Sequence, residues 1–197
     1  TQGVSSAASD VYKRQREATI VGEGIGLAMR GFRPIAEIQY LDYLMFALQT
    51  LSDDLATVSY RSVGKQLAPL IVRTRGHRLE GMWHAGSPMG MILNSLKGML
   101  ILTPRNMVQA AGMYNTLLSC SDPALIIEPL NAYRLKEKEP TNLGEFNVAL
   151  GHVEFMSKGK DITVVSYGST LKLVEKAMIE LLNCLLYTSD AADDTPC

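Results

Sequence analysis

A single carboxylate, Glu17, heads a segment in which Gly22, Gly24 and Gly26 alternate with apolar residues. Further on, Tyr40 and Tyr43 close the stretch IAEIQYLDY, and His77 and His84 fall seven apart in the polar run GHRLEGMWHAGSP. A carboxylate beside a bound heterocycle can accept a hydrogen bond or move a proton, and histidine exchanges its proton near neutral pH. Aromatic rings supply a flat apolar wall. A carboxylate before a buried helix and an aromatic cluster after the next strand can meet at one sheet edge, which outlines a ligand site. Other chemistries drop out. VGEGIGL is not a G-x-G-x-x-G dinucleotide fingerprint, because Leu27 takes the third position, and G-x-x-x-x-G-K-[ST] is absent. His77 and His84 have no third ligand at usual zinc spacing. Ser62, Ser87 and Ser95 lack the G-x-S-x-G elbow, and Cys120 reads as a small core residue rather than a nucleophile.

The elements that must position these residues alternate regularly. The stretch from Glu17 up to Gly31 is predicted as a helix with both sides buried, because Ile20, Val21, Ile25, Leu27, Ala28 and Met29 fill most of its surface. Its interior glycines imply close approach of a neighbouring backbone or ligand, and Gly31 stops it. Strands are predicted over residues 33–40, 69–75, 99–104 and 124–129, and helices over 42–60, 89–96 and from Asn106 onward, with a loop over 76–88. Strands of this length separated by helices mean βαβ units and a parallel sheet covered on both faces, an α/β fold. Residues 130–148 turn charged and irregular, the composition of a linker. ITVVSYGS and LKLVEKAMIELL then restart a strand–turn–helix unit, the truncated start of a second α/β domain.

Composition narrows the partners. The chain has 197 residues, 47% of them hydrophobic, and a formal net charge of -1. This suits one domain and part of another, with no nucleic-acid or membrane-surface partner. No apolar run reaches the roughly 18 residues that a membrane-spanning helix needs. Cys120, Cys184 and Cys197 make no disulfide framework, so a reducing, cytoplasmic setting is expected. Both ends look foreign to the fold. Residues 5–15 and 184–193 can be encoded by one DNA segment read on its two strands, as a sequencing adapter would be. Native sequence is therefore expected from about residue 16 to about residue 183, with both tails unpacked.

The order E-(x)4-G-x-G-x-G, AMRGFRPIAEIQYLDY, YRSVG, PLIVRT, WHAGSP, LTPRN and ITVVSYGS resembles the thiamine diphosphate-dependent 2-oxo acid dehydrogenases. The similarity is to the beta subunit, or the beta half of a fused chain, and covers residues 16–183. With the adapter-like tails set at residues 1–15 and 184–197, it implies a transketolase-like pyrimidine-binding domain over 16–140 and a linker and start of the C-terminal domain over 141–183. It implies that the chain helps to decarboxylate a 2-oxo acid oxidatively, branched-chain such as 3-methyl-2-oxobutanoate or pyruvate, and to pass the acyl group to lipoamide. Glu17 stands where the family keeps the glutamate that binds the aminopyrimidine and favours its imino form. Tyr43 matches the aromatic against that ring, a position that a core tyrosine would fill equally well, and Tyr40 would wall the pocket or simply be core. His84 matches the histidine that handles protons during acyl transfer, although Ala85 and Gly86 replace the family's Ser-Gln.

The resemblance also implies what must come from elsewhere. The family binds diphosphate through Mg²⁺ with a GDG-type segment of the alpha part, and no GDG occurs here. Metal ligands are thus expected on an alpha subunit or alpha half, in an α₂β₂-type assembly that also meets a lipoyl acyltransferase. Two alternatives remain open at this point. A transketolase-like synthase shares the pyrimidine domain and its glutamate. A non-catalytic α/β module would leave Glu17 exposed and far from Tyr43.

Overall fold

The computed structural model describes residues 16–78, 81–160 and 162–190. Four strands, β1 (Ile35–Ile38), β2 (Ile71–Gly76), β3 (Leu100–Leu102) and β4 (Ala124–Pro129), form one parallel sheet in the order β1-β2-β4-β3. Ile35 pairs with Ile71, Ile71 with Ala124, and Leu100 with Ala124. The strands therefore start together and their C-terminal ends share one edge. β4, ALIIEP, is buried at every position, as expected of a central parallel strand covered on both faces.

One face of the sheet packs against helix α1 (Glu17–Met29) and the irregular helical segment after β1. Val21 and Ala28 meet Ile38, Val72, Leu125 and Ile127 there. Gly24 is the glycine that this packing requires, since a β-carbon on it would sit 2.8 Å from Leu70 Cδ1. The expectation that both sides of α1 are buried is corrected. Leu27 and Met29 are 48% and 43% exposed, and Gly22 and Gly26 are open, because no described element covers the helix's outer side. The opposite face of the sheet carries α4 (Met107–Ser119), whose Leu117, Met113 and Tyr114 cover Ile71, Ala124 and Ile126.

The single helix expected over residues 42–60 is instead a 3-10 helix (Leu41–Ala47), a π-helical stretch (Thr50–Leu55) and a short α2 (Val58–Arg61). The apolar spacing explains this. Leu41, Leu44 and Ala47 recur every three residues, the 3-10 period, and Leu51 and Leu55 then follow at wider spacing. Each local pitch keeps its leucines on the sheet. Helix α3 (Met89–Ser95) precedes β3 as predicted.

Two further differences concern the C-terminal half. The linker opens with a 3-10 turn (Leu130–Arg134) and later lies along α4, where Asn115 Nδ2 donates to the carbonyls of Leu143 and Phe146, both at 2.7 Å, and Val148 N donates to Gly112 O. The strand expected over residues 162–169 is absent. Ile162 and Val165 are 80% and 88% exposed, because no described strand lies alongside to pair with their backbone. A 3-10 turn (Gly168–Thr170) leads into α5 (Leu171–Asp190). That helix runs past residue 183, since no glycine or proline interrupts residues 171–190. Residues 1–15 and 191–197 of the two suspected tails lie outside the described residues.

Candidate functional site

The segments that follow β1 and β2 leave the sheet side by side at its C-terminal edge, where open parallel sheets gather their ligands. The first carries Tyr40 to Tyr43, and the second is the loop over residues 76–88. They meet at His84. Its Nδ1 lies 2.9 Å from Asp42 Oδ2 and 3.0 Å from Asp42 Oδ1. Its ring stacks on Tyr40 at 3.7 Å between centroids and 4° between planes, and stands edge-on to Tyr43 at 5.4 Å and 89°. Tyr40 and Tyr43 are themselves edge-to-face at 5.8 Å. The Arg75 guanidinium lies 4.5 Å from the centroid of Tyr40. With the imidazole flat against one face of Tyr40, the guanidinium occupies the other, a cation–π contact.

His84 adopts φ 54°, a left-handed conformation that is uncommon outside glycine and clusters at functional loops. The loop that imposes it is tied down by a second histidine. His77, with φ 50° and 2% exposed, places Nδ1 2.8 Å from Ser87 Oγ and Nε2 3.3 Å from the Tyr167 carbonyl oxygen. A carbonyl only accepts, so Nε2 carries the proton and Nδ1 accepts from the Ser87 hydroxyl. The ring also stacks on Tyr167 at 4.9 Å. Burial pushes the His77 pKa below its ordinary value, which the backbone hydrogen bond only partly opposes.

Glu17 is the first residue of α1 and half-buried, where the helix dipole favours a carboxylate. Its carboxylate makes no hydrogen bond or ion pair to any described residue. α1 packs against the Leu41–Ala47 turn, so Glu17 begins a helix seated on the element that carries Tyr43. Of the four residues that the sequence singled out, Tyr40, Tyr43 and His84 are thus in direct contact. Glu17 joins them through packing of their elements rather than by a side-chain contact of its own.

Sequence reasoning missed Asp42, Arg75 and the clasp of His77 with Ser87. Asp42 left one trace, a lone acid between two tyrosines in an apolar turn. His77 left none, because its partner at Tyr167 is 90 residues away. A further buried group, Glu128, sits at the end of β4. It accepts from Arg73 Nη2 at 2.8 Å and from the hydroxyls of Tyr114 and Tyr133, while Arg73 Nη1 also reaches Glu37 at 3.3 Å. Burial alone would raise the Glu128 pKa, but these donors outweigh it and hold the carboxyl below its ordinary value. The same environment pushes Tyr133 up to about 12. Among the described residues no group of three or more His, Cys, Asp or Glu is placed to hold a metal ion.

Residues 15–136 match the family model described as transketolase, pyrimidine binding domain. The chain is 36% identical to the mitochondrial 2-oxoisovalerate dehydrogenase subunit beta of Chaetomium thermophilum, over 79% of this chain and 34% of that one. It is 33% identical to the 2-oxoisovalerate dehydrogenase subunit beta of Bacillus subtilis, over 77% of this chain and 46% of the relative. To the pyruvate dehydrogenase E1 component subunit beta of Acholeplasma laidlawii it is 29% identical, over 82% and 50%. The chain therefore spans half or less of the length of these three curated relatives.

Proposed function

The chain belongs to the transketolase pyrimidine-binding domain family, and from that premise we propose that it forms the beta part of a thiamine diphosphate-dependent 2-oxo acid dehydrogenase. The observation that carries this reading is the contact of Tyr43 with His84 at the sheet edge, beside the helix that Glu17 begins. The names of the relatives support it, and the higher identities to 2-oxoisovalerate dehydrogenase beta subunits favour a branched-chain 2-oxo acid over pyruvate. The acyl group would go to lipoamide on a lipoyl acyltransferase.

The residues present fit the pyrimidine end of thiamine diphosphate. Glu17 is a half-buried carboxylate, without a described partner, that can accept a hydrogen bond from a ring N–H. Tyr43 offers a half-buried ring to a flat heterocycle. The diphosphate and its Mg²⁺ call for a cluster of hard oxygen ligands, which we assign to an alpha subunit or alpha half, with the whole built as an α₂β₂-type assembly.

When bound, thiamine diphosphate supplies the carbon nucleophile that lets a 2-oxo acid lose carbon dioxide. The chain's own residues orient and exchange protons around it. Glu17 holds a proton at the pyrimidine ring, and removal of its charge weakens that hold. Tyr43 limits the tilt of the ring. His84 handles protons on the acyl-transfer side, in a loop kept in place by His77 and Ser87.

The test is Glu17→Gln in the complete assembly, read by exchange of the cofactor's thiazolium proton for deuterium. We expect a slowing of about 10²- to 10⁴-fold, the range for losing a positioned proton-transfer group. An unchanged exchange rate in an intact assembly would remove Glu17 from this role.

A further inference from the structure

We propose that Asp42 is a positioning residue for His84: it keeps the imidazole proton on Nδ1 and so presents an unprotonated Nε2 as the reacting nitrogen. The inference rests on the reading of His84 as the acyl-transfer histidine, and the experiment below separates the two.

Both oxygens of Asp42 lie within hydrogen-bond distance of His84 Nδ1, at 2.9 and 3.0 Å. An ionised carboxylate only accepts, so Nδ1 must be the donor whether the ring is neutral or cationic. Nε2 makes no hydrogen bond to a described residue, which leaves it as the nitrogen open to an incoming group. In a histidine, the partner of one ring nitrogen decides the state of the other.

Orientation is fixed as well as tautomer. Stacking on Tyr40 at 3.7 Å and 4° holds the plane of the imidazole, and the edge contact with Tyr43 blocks the second direction of swing. Tyr40 is in turn held between the imidazole and the Arg75 guanidinium. The remaining freedom is a half-turn about Cβ–Cγ, which keeps the ring plane but exchanges Nδ1 for Cδ2, and the carboxylate of Asp42 disfavours it by accepting from Nδ1. The charged groups of this cluster are Asp42 from the 3-10 helix and Arg75 from β2.

The two loop histidines then hold opposite tautomers. His77 donates from Nε2 to a carbonyl and accepts at Nδ1, whereas His84 donates from Nδ1 and leaves Nε2 bare. One anchors the loop and the other faces the chemistry. A purely structural Asp42, serving as an acid in the first turn of its helix, would be indifferent to the His84 tautomer.

The experiment is a long-range proton–nitrogen correlation spectrum of the ¹⁵N-labelled full chain, at a pH where the histidines are neutral, with His84 assigned through His84→Gln. We expect a protonated Nδ1 and a bare Nε2 for His84, and the reverse for His77. Asp42→Asn, whose amide can satisfy either tautomer, should redistribute the His84 proton and leave His77 unchanged, which also reports an intact loop. A wild-type His84 protonated on Nε2 overturns the inference without any variant, as does a tautomer that ignores Asp42→Asn. In the complete assembly Asp42→Asn should slow acyl transfer to lipoamide by about 10- to 100-fold, less than loss of the imidazole itself. If the tautomers are as stated but His84→Ala transfers acyl groups at the normal rate, the role given to His84 fails while its orientation by Asp42 stands.

Discussion

The imidazole of His77 occupies the space that a side chain on Gly168 would need. A β-carbon there would lie 2.6 Å from His77 Cδ2, and Gly168 itself sits at φ 55°. This contact locks the base of the loop over residues 76–88 to the turn that starts α5. Gly168→Ala should therefore destabilise the fold by about 1–3 kcal/mol, through strain and steric overlap together. In the Gly168→Ala, His77→Ala double variant part of that loss should return, because the overlap is gone while the strain remains. Urea midpoints of the four proteins measure the coupling, and strict additivity would dismiss the contact.

His77 should also mark the pH dependence of stability. Its folded pKa is lowered by burial, so below the ordinary value of 6.5 the unfolded chain takes up the proton more readily than the folded one. Stability contributed by the neutral ring is full above 6.5 and is lost as pH falls from there toward the folded value. Denaturant unfolding between about pH 8 and about pH 5 should show this decline in the wild type and a flatter profile in His77→Gln.

Glu128 should act in a lower window. Its carboxyl is held below the ordinary 4.5, so its contribution is present above 4.5 and fades as pH falls through the depressed folded value. Glu128→Gln keeps the size but leaves Arg73 without its closest countercharge. With the arginine side chain one-third exposed, we expect a loss of about 2 kcal/mol at neutral pH and a flatter acid limb. Tyr133→Phe, which removes one donor from the same carboxylate, should cost about 1 kcal/mol. Equal stability of Glu128→Gln and wild type across the whole range would contradict the network.

His84→Ala should divide the reaction. In the complete assembly, turnover with an artificial electron acceptor should fall less than transfer to lipoamide, by a factor of about 10 or more between the two assays. Equal losses in both would move His84 to an earlier step.

Local signals carried the sequence reading where they were dense. β4 has the predicted bounds because an unbroken apolar run between turn signals has one reading, and Asn106 caps α4 by accepting from Gln109 N at 2.8 Å. QYLDY and WHAGSP pointed to Tyr43 and His84, which the fold brings together. The rest depended on contacts that periodicity does not encode. The pitch changes between Leu41 and Leu55 answer to the sheet beneath them. Residues 162–169 have strand composition but no described strand beside them. Asp42 and His77 acquire meaning only from His84 and Tyr167, far along the chain.

The position of β2 has a consequence for biosynthesis. β2 lies between β1 and β4, and Ile71 meets Ala124 only after the loop, α3, β3 and α4 have been made. During translation β2 can pair with β1 early, yet its other edge stays open until β4 leaves the ribosome. A strand with an unpaired row of N–H and C=O groups is a template for other chains. Joining it to β4 also has to overcome the closure entropy of everything between them. The pace of elongation across residues 77–129 thus sets how long a nascent chain remains open to aggregation, and chaperone demand should be greatest over that interval.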